Sequence, residues 1–240
     1  GCGFRQGGQM ISVALDTSCM TGGVAILDGT SLVAEYMLSV KRTHSERLMS
    51  SLAMVMQDAR LEPSDIGLIS CAVGPGSFTG IRIGVASAKA MAMALRVKVA
   101  PVTGLEALCY GLPEGDLAYA MIDAKHGFSY AAKYLCTSGA PKLLEEPSVM
   151  SAEEVGTAIA EGGIKCHVRG DGAVANIEAL RTLAGELLIV PSGEDATIRP
   201  SKVGMCGITK MEAGCLVDAA RLSPYYIKRS EAEVKCGGKC

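Results

Sequence analysis

The chain has no tryptophan, only three phenylalanines and three histidines, and aromatic residues make up 4% of its 240 positions. Its apolar mass is therefore Ala, Val, Leu, Ile and twelve Met, a composition suited to α/β packing. It lacks a charge excess of either sign: the net charge is −2, without the basic surplus that a lone, sequence-independent nucleic-acid binder carries. Any contact with RNA is expected to need help from another protein. A run of ~20 uninterrupted apolar residues is missing too. The most apolar region, Gly80 to Val99, is broken by Arg82, Lys89, Arg96 and Lys98. The first ten residues contain no apolar stretch of a secretory signal, and a cytoplasmic protein is expected. Met10 precedes a clean strand pattern and reads as the start, so residues 1–9 read as an upstream artefact or a leader; they and residues 234–240 are expected to be disordered. There is no C-x-x-C. Seven scattered interior cysteines read as free thiols in a reducing compartment. The terminal Cys2, Cys236 and Cys240 fall short of the four ordered ligands of a structural zinc site.

Two lobes are expected, over residues 10–110 and 111–233, with the last helix able to return to the first lobe. The chain opens as a three-strand meander: Ile11 to Ser18, Val24 to Leu27, and Ser31 to Leu38 after an Asp-Gly turn. Thr43 and Glu46 have the spacing of a capping box, and Leu48, Leu52, Val55 and Ala59 recur at helical spacing behind it. Ile66 to Gly74 is apolar almost throughout, as a central buried strand is. A helix from Ile81 to Leu95 and a strand from Lys98 to Val102 follow, and this alternation argues for α/β. Asp16 ends one apolar strand and Val24 begins the next; Asp123 and Ala131 repeat the pattern at an offset of 107 residues, which marks an internal duplication. Further on, Ser151 and Glu154 form another capping box. Helices are expected over Ile177–Leu183 and from Ser201 to Arg221, and a strand over Leu187–Pro191.

Three features can carry chemistry. The Gly74-Pro75-Gly76-Ser77-Phe78-Thr79-Gly80 loop delivers the chain to a helix N-terminus. The N–H groups of Ser77, Phe78 and Thr79 could there form an anion site, or the loop could be a tight strand–helix junction. Asp16 and Asp123 end strands facing a cleft, where a carboxylate pair can hold a metal-nucleotide or simply cap two turns. Ser77, Thr79 and Gly80 complete this candidate nucleotide site. The histidines, His44, His126 and His167, show no metal spacing. Finally, the helix from Ile81 is apolar on both faces. Gly80, Gly84 and Ala88 at four-residue spacing, with Met91, suggest close helix approach, and Met49, Ala53 and Met56 extend that surface. This reads as a partner-docking face.

The strings ISVALDTS, THSERLM, CAVGPGSFTGIRIGVASAKAMA, APVTGLEAL, IDAKHGFSYAAKY, RGDGA and SPYYIKRSEAE resemble the bacterial TsaB (YeaZ) family over Met10 to Glu233. The resemblance implies the two-lobed actin/Hsp70/sugar-kinase fold. It also implies a non-catalytic accessory subunit that pairs with TsaD, joins the ATPase TsaE, and meets tRNA through that complex. The complex modifies the adenosine next to the anticodon of tRNAs reading ANN codons to threonylcarbamoyladenosine. A homodimer is expected when TsaD is absent. No metal and no obligatory cofactor are implied, only weak nucleotide binding in a vestigial cleft. TsaD-like enzymes carry an H-x-E-x-H-type metal motif where this chain has Gly104-Leu105-Glu106-Ala107-Leu108. A nucleotide-binding ATPase or kinase using Asp16, Ser77, Thr79 and Asp123 is the alternative reading.

Overall fold

The computed structural model describes residues 10–39, 45–137 and 139–227 and, at 45, 46, 194 and 195, the backbone alone. The expected disordered termini and the Thr43–Glu46 capping box lie outside the described residues or side chains.

Two five-stranded sheets carry the fold. The first contains β1 (Ile11–Asp16), β2 (Thr21–Asp28), β3 (Ser31–Ser39), β4 (Ile66–Ala72) and β5 (Val99–Val102), in the order β3-β2-β1-β4-β5. The second contains β6 (Leu117–Lys125), β7 (Phe128–Leu135), β8 (Lys142–Ser151), β9 (Cys166–Arg169) and β10 (Leu188–Ile189), in the order β10-β9-β6-β7-β8. Read from the other edge, the second order repeats the first: a three-strand antiparallel meander followed by two parallel strands. The duplication legible at Asp16 and Asp123 is thus a duplication of whole sheets.

Sequence explains the strand positions. All six residues of β1 are buried, and β4 is nearly as dry, so both read as continuous apolar runs at the centre of a covered sheet. β3 and β8 are exposed edges. Helices α1 (Ser45–Asp58) and α2 (Phe78–Leu95) cover one face of the first sheet. The opposite face packs on α3 (Gly104–Cys109) and α7 (Pro200–Glu212), in a core shared with β6 and β7 of the second sheet. Helices α4 (Ala152–Gly162), α5 (Asp171–Ala175) and α6 (Ile177–Ala184) cover the far face of the second sheet. The capping box at Ser151 and Glu154 opens α4.

The C-terminal segment crosses back to the first lobe. Gly207 lets α7 sit directly on the sheet, since a Cβ there would lie 1.9 Å from Ser70 Oγ. Glu35 on β3 anchors the start of α7. Its carboxylate accepts from Arg199 Nη2 at 2.5 Å and from the Ser201 N–H at 2.8 Å. The helix expected from Ser201 to Arg221 stops at Glu212, because Gly214 turns the chain at φ 72°. A strap then follows the first lobe: Val217 bridges Val99, Leu222 is buried in the α1/α2 core, and the Tyr225 N–H donates to Val73 O at 2.8 Å. The second sheet itself spans residues 117–189.

α2 is the one described helix long and apolar enough to cross a membrane by length and composition. Of the four charges that break its apolar region, Arg96 and Lys98 lie beyond its end. The helix buries Gly80, Ile81, Gly84, Val85, Ala88 and Ala92 against the sheet. Complete burial of a side chain such as Ile81 stabilises the lobe by about 1.5–3 kcal/mol.

Candidate functional site

Asp16 ends β1 and is fully buried. Its Oδ1 accepts from the Ser18 N–H at 2.9 Å and from the Ser18 hydroxyl at 2.6 Å, the bonding of a turn-capping aspartate. This turn seats the glycine loop. Thr17 Oγ1 donates to Gly80 O at 2.7 Å, and the Ser77 N–H donates to Ser18 O at 2.7 Å. The Gly80 N–H donates to Ser77 Oγ at 3.2 Å, so Ser77 is the N-cap of α2. Of the three N–H groups expected to form an anion site, that of Ser77 is engaged with the β1 turn. On the outer side of the junction Ser77 and Thr79 are exposed and Phe78 is partly buried. The Phe78 ring stacks on Tyr226 at 5.2 Å between centroids, the Arg82 guanidinium lies 3.6 Å from the Phe78 centroid, and Arg82 Nε donates to Tyr226 Oη at 3.1 Å.

The cleft between the sheets is a cavity of about 350 Å³, lined among others by Cys19, Met20, Thr21, Ile122, Asp123, Lys125 and Asp171. Of the five expected nucleotide-site residues, only Asp123 lines it. Ser77, Thr79 and Gly80 sit at the α2 junction, and Asp16 is buried at the end of β1. Asp123 is itself engaged: Lys125 Nζ lies 2.5 Å from its Oδ2, and the Lys125 N–H donates to its Oδ1 at 2.8 Å. Burial opposes ionisation of Asp123, but bonding to Lys125 outweighs it and holds the carboxyl below its usual value. Asp171 accepts the Asp123 N–H at 2.9 Å, and burial pushes its pKa up. Burial also pushes the Cys19 thiol well up, reinforced by the charges of Asp16 and Asp171, so it is not a thiolate nucleophile.

Lys125, Asp171 and Cys19 are not among the site residues expected from the sequence. A signal for Asp171 existed: the Gly170-Asp171 turn after β9 occupies the place that the glycine loop takes after β4.

At α3, the two positions where the resemblance places metal-binding histidines in TsaD-like enzymes are Gly104 and Leu108. A Cβ at Gly104 would lie 2.5 Å from Ile198 Cδ1, Leu108 is buried, and Glu106 pairs with Lys210 at 2.9 Å. Among the described residues, no three His, Cys, Asp or Glu side chains are grouped to hold a metal ion.

A second concavity, of about 460 Å³, runs between α1 and α2. Met49, Leu52, Ala53, Met56, Met91 and Leu95 line it, with Gln57 and Glu62 as its polar members. Met49 is 46% exposed. Gly80, Gly84 and Ala88 do not belong to this surface. They are buried and face the sheet: a Cβ on Gly80 would lie 2.0 Å from Thr17 O, and one on Gly84 2.5 Å from Thr17 Oγ1. Their spacing serves close approach of helix to sheet, which corrects their expected place in the docking face.

A tRNA threonylcarbamoyladenosine biosynthesis protein TsaB from Bacillus subtilis is 30% identical over 228 residues, covering 94% of this chain and 97% of that protein. The chain belongs to the TsaB (YeaZ) family. A family model described as "TsaD: tRNA N6-adenosine threonylcarbamoyltransferase" matches residues 32–181. YeaZ from Pseudomonas aeruginosa has the same fold, with a TM-score of 0.77 at 24% identity, over 91% of this TsaB-family chain and all of that one. A ROK hexokinase from Thermus thermophilus, at 12% identity, reaches a TM-score of 0.51 over 85% of this chain and all of that one. The fold is thus that of the actin/sugar-kinase class, in two α/β lobes.

Proposed function

We propose that this chain is a non-catalytic subunit of the machinery that makes threonylcarbamoyladenosine in tRNAs reading ANN codons, and that it scaffolds a TsaD-family partner in the cytoplasm. The observation that carries this reading is the apolar α1/α2 groove, with half-exposed Met49 and Ala53 on its rim. Such a surface is costly to leave in water and suits an adaptable helical partner. The names of the relatives supply the pathway. TsaE joins the assembly, tRNA is met through the complex, and a homodimer through the same groove forms when the partner is absent. No cofactor is required, and any nucleotide binding in the cleft is vestigial. The Lys125–Asp123 pair favours this over an ATPase or kinase, because the lysine occupies the carboxylate that a metal-nucleotide would need.

The test is pairing with the TsaD of the same organism, read by size-exclusion chromatography and calorimetry. The unmodified chain forms a heterodimer, and Ala53→Asp, on the exposed rim, abolishes it without changing the far-UV spectrum. No heterodimer with the unmodified chain, together with nucleotide turnover by the chain alone, overturns the reading in favour of the enzyme.

A further inference from the structure

The groove between α1 and α2 is lined by three thioethers, those of Met49, Met56 and Met91. They differ in access. Met49 is 46% exposed, Met91 is partly buried, and Met56 is 8% exposed. Two further methionines of these helices, Met54 at 44% and Met93 at 70%, are exposed but lie outside the groove. Much of the sulfur elsewhere is shielded: Cys71, Cys109, Cys136, Cys166 and Cys206 are buried. Burial also raises the pKa of each of these thiols and suppresses its thiolate. A thioether needs no deprotonation to react, so accessible methionine is the sulfur open to a peroxide on this face.

We infer that Met49 is an oxidation-sensitive site that releases the docking partner when its thioether becomes a sulfoxide. The inference rests on the docking reading above. Hydrogen peroxide is the oxidant. Its O–O bond breaks as one S–O bond forms; sulfur loses two electrons, and the second peroxide oxygen leaves as water with both peroxide protons. Methionine sulfoxide reductase, drawing on a dithiol, reverses the step. The consequence is physical. The sulfoxide is a polar acceptor at the rim of a groove whose other walls are Leu52, Ala53, Met56, Met91 and Leu95. Desolvated against an apolar partner without a donor, it weakens pairing by about tenfold or more. Met54 and Met93 can oxidise without that effect.

The experiment treats the full chain with hydrogen peroxide, removes the excess with catalase, and adds dithiothreitol to restore thiols but not sulfoxides. Peptide mass spectrometry gives the oxidised fraction at each methionine, and calorimetry gives the Kd for the untreated TsaD-family partner. Pairing is expected to weaken about tenfold as Met49 oxidises and to recover with the reductase. Met49→Leu keeps its affinity after the same treatment although Met93 still oxidises, and Met49→Gln weakens pairing with no oxidant. Unchanged affinity with Met49 fully oxidised, or equal sensitivity of Met49→Leu, overturns the inference. Failure of the untreated chain to pair overturns the docking reading and the inference with it.

Discussion

Replacing Gly80 by alanine decides whether the small-residue stripe of α2 packs inward or meets a partner. The added Cβ would lie 2.0 Å from the carbonyl oxygen of Thr17, where a carbon–oxygen contact needs roughly 3.3 Å. The obstacle is backbone, so the start of α2 must withdraw by about 1 Å or more. Overpacking of this kind costs about 1–3 kcal/mol. Withdrawal also strains the 2.7 Å bond from Thr17 Oγ1 to Gly80 O, worth about 1 kcal/mol. Against this, alanine favours a helix over glycine by up to about 1 kcal/mol. The net loss is about 2 kcal/mol, which for a chain of this size lowers Tm by about 4–8 °C. Differential scanning calorimetry reads it, with Ala90→Glu on the exposed face of α2 as a control expected within about 1 °C of the parent. A Gly80→Ala chain that melts with the parent yet loses its partner would refute the packing argument and return the stripe to the docking surface.

Other consequences follow from the same geometry. Glu35→Gln removes the carboxylate that holds Arg199 and the start of α7, at a cost of about 1–2 kcal/mol at pH 7, because Arg199 is 35% exposed and water takes up part of the lost interaction. Burial opposes ionisation of Glu35, but bonds from Arg199 and Ser201 hold its pKa below 4.5, so this contribution is present above pH 4.5 and is lost as pH falls through the lowered value. Melting curves of parent and variant should therefore converge in acid; a gap that stays constant below that value contradicts the assignment. Lys125→Ala breaks a pair whose lysine side chain is 73% exposed, so Tm should move by no more than about 1 °C; a larger drop would give the pair a structural role. Among the described cysteines, Cys215 should react with a disulfide reagent at pH 8 in the native chain. Cys71, Cys109, Cys206 and Cys166, the last with its pKa pushed up to about 12, should react only on unfolding, as mass mapping of the labels would report. Asp16→Asn and Asp123→Asn should leave tRNA modification by the reconstituted complex unchanged; loss of modification with the fold intact would restore a cleft function.

The duplication is legible because a buried central strand leaves a continuous apolar run: Asp16 ends β1, and Asp123 follows the buried run of β6, which continues to Lys125. The first helices were legible for a similar reason, since Leu48, Leu52 and Val55 must face a sheet and nothing else competes for their periodicity. β8 was not legible. It is a largely exposed edge whose Glu145-Glu146-Pro147 carries no alternation. α3 is a short helix whose Gly104 and Leu105 are fixed by contacts with Ile198 and the inter-lobe core, all tertiary in origin. α7 was read too long because helical propensity alone does not register the left-handed turn at Gly214. The inward direction of Gly80, Gly84 and Ala88 depends on which face of α2 meets β1 and β4, and four-residue spacing serves either a sheet or another helix. In the cleft, Asp123 was found from its strand end. Its partner Lys125 lies two residues on along the same strand, at a bulge where Lys125 and His126 adopt positive φ, and sequence spacing does not register that local geometry.

The central claim is that this chain contributes a surface and no chemistry. The measurement that tests it most directly is reconstituted threonylcarbamoylation of an ANN-reading tRNA with the TsaD-family partner, the adenylate donor and TsaE. It is run with the parent chain, with Ala53→Asp, with Asp16→Asn/Asp123→Asn, and without the chain. The expected result is modification that requires the chain, survives the loss of both cleft carboxylates and fails with Ala53→Asp. Modification that persists without the chain, or that fails with the carboxylate variant while Ala53→Asp remains active, would contradict the account.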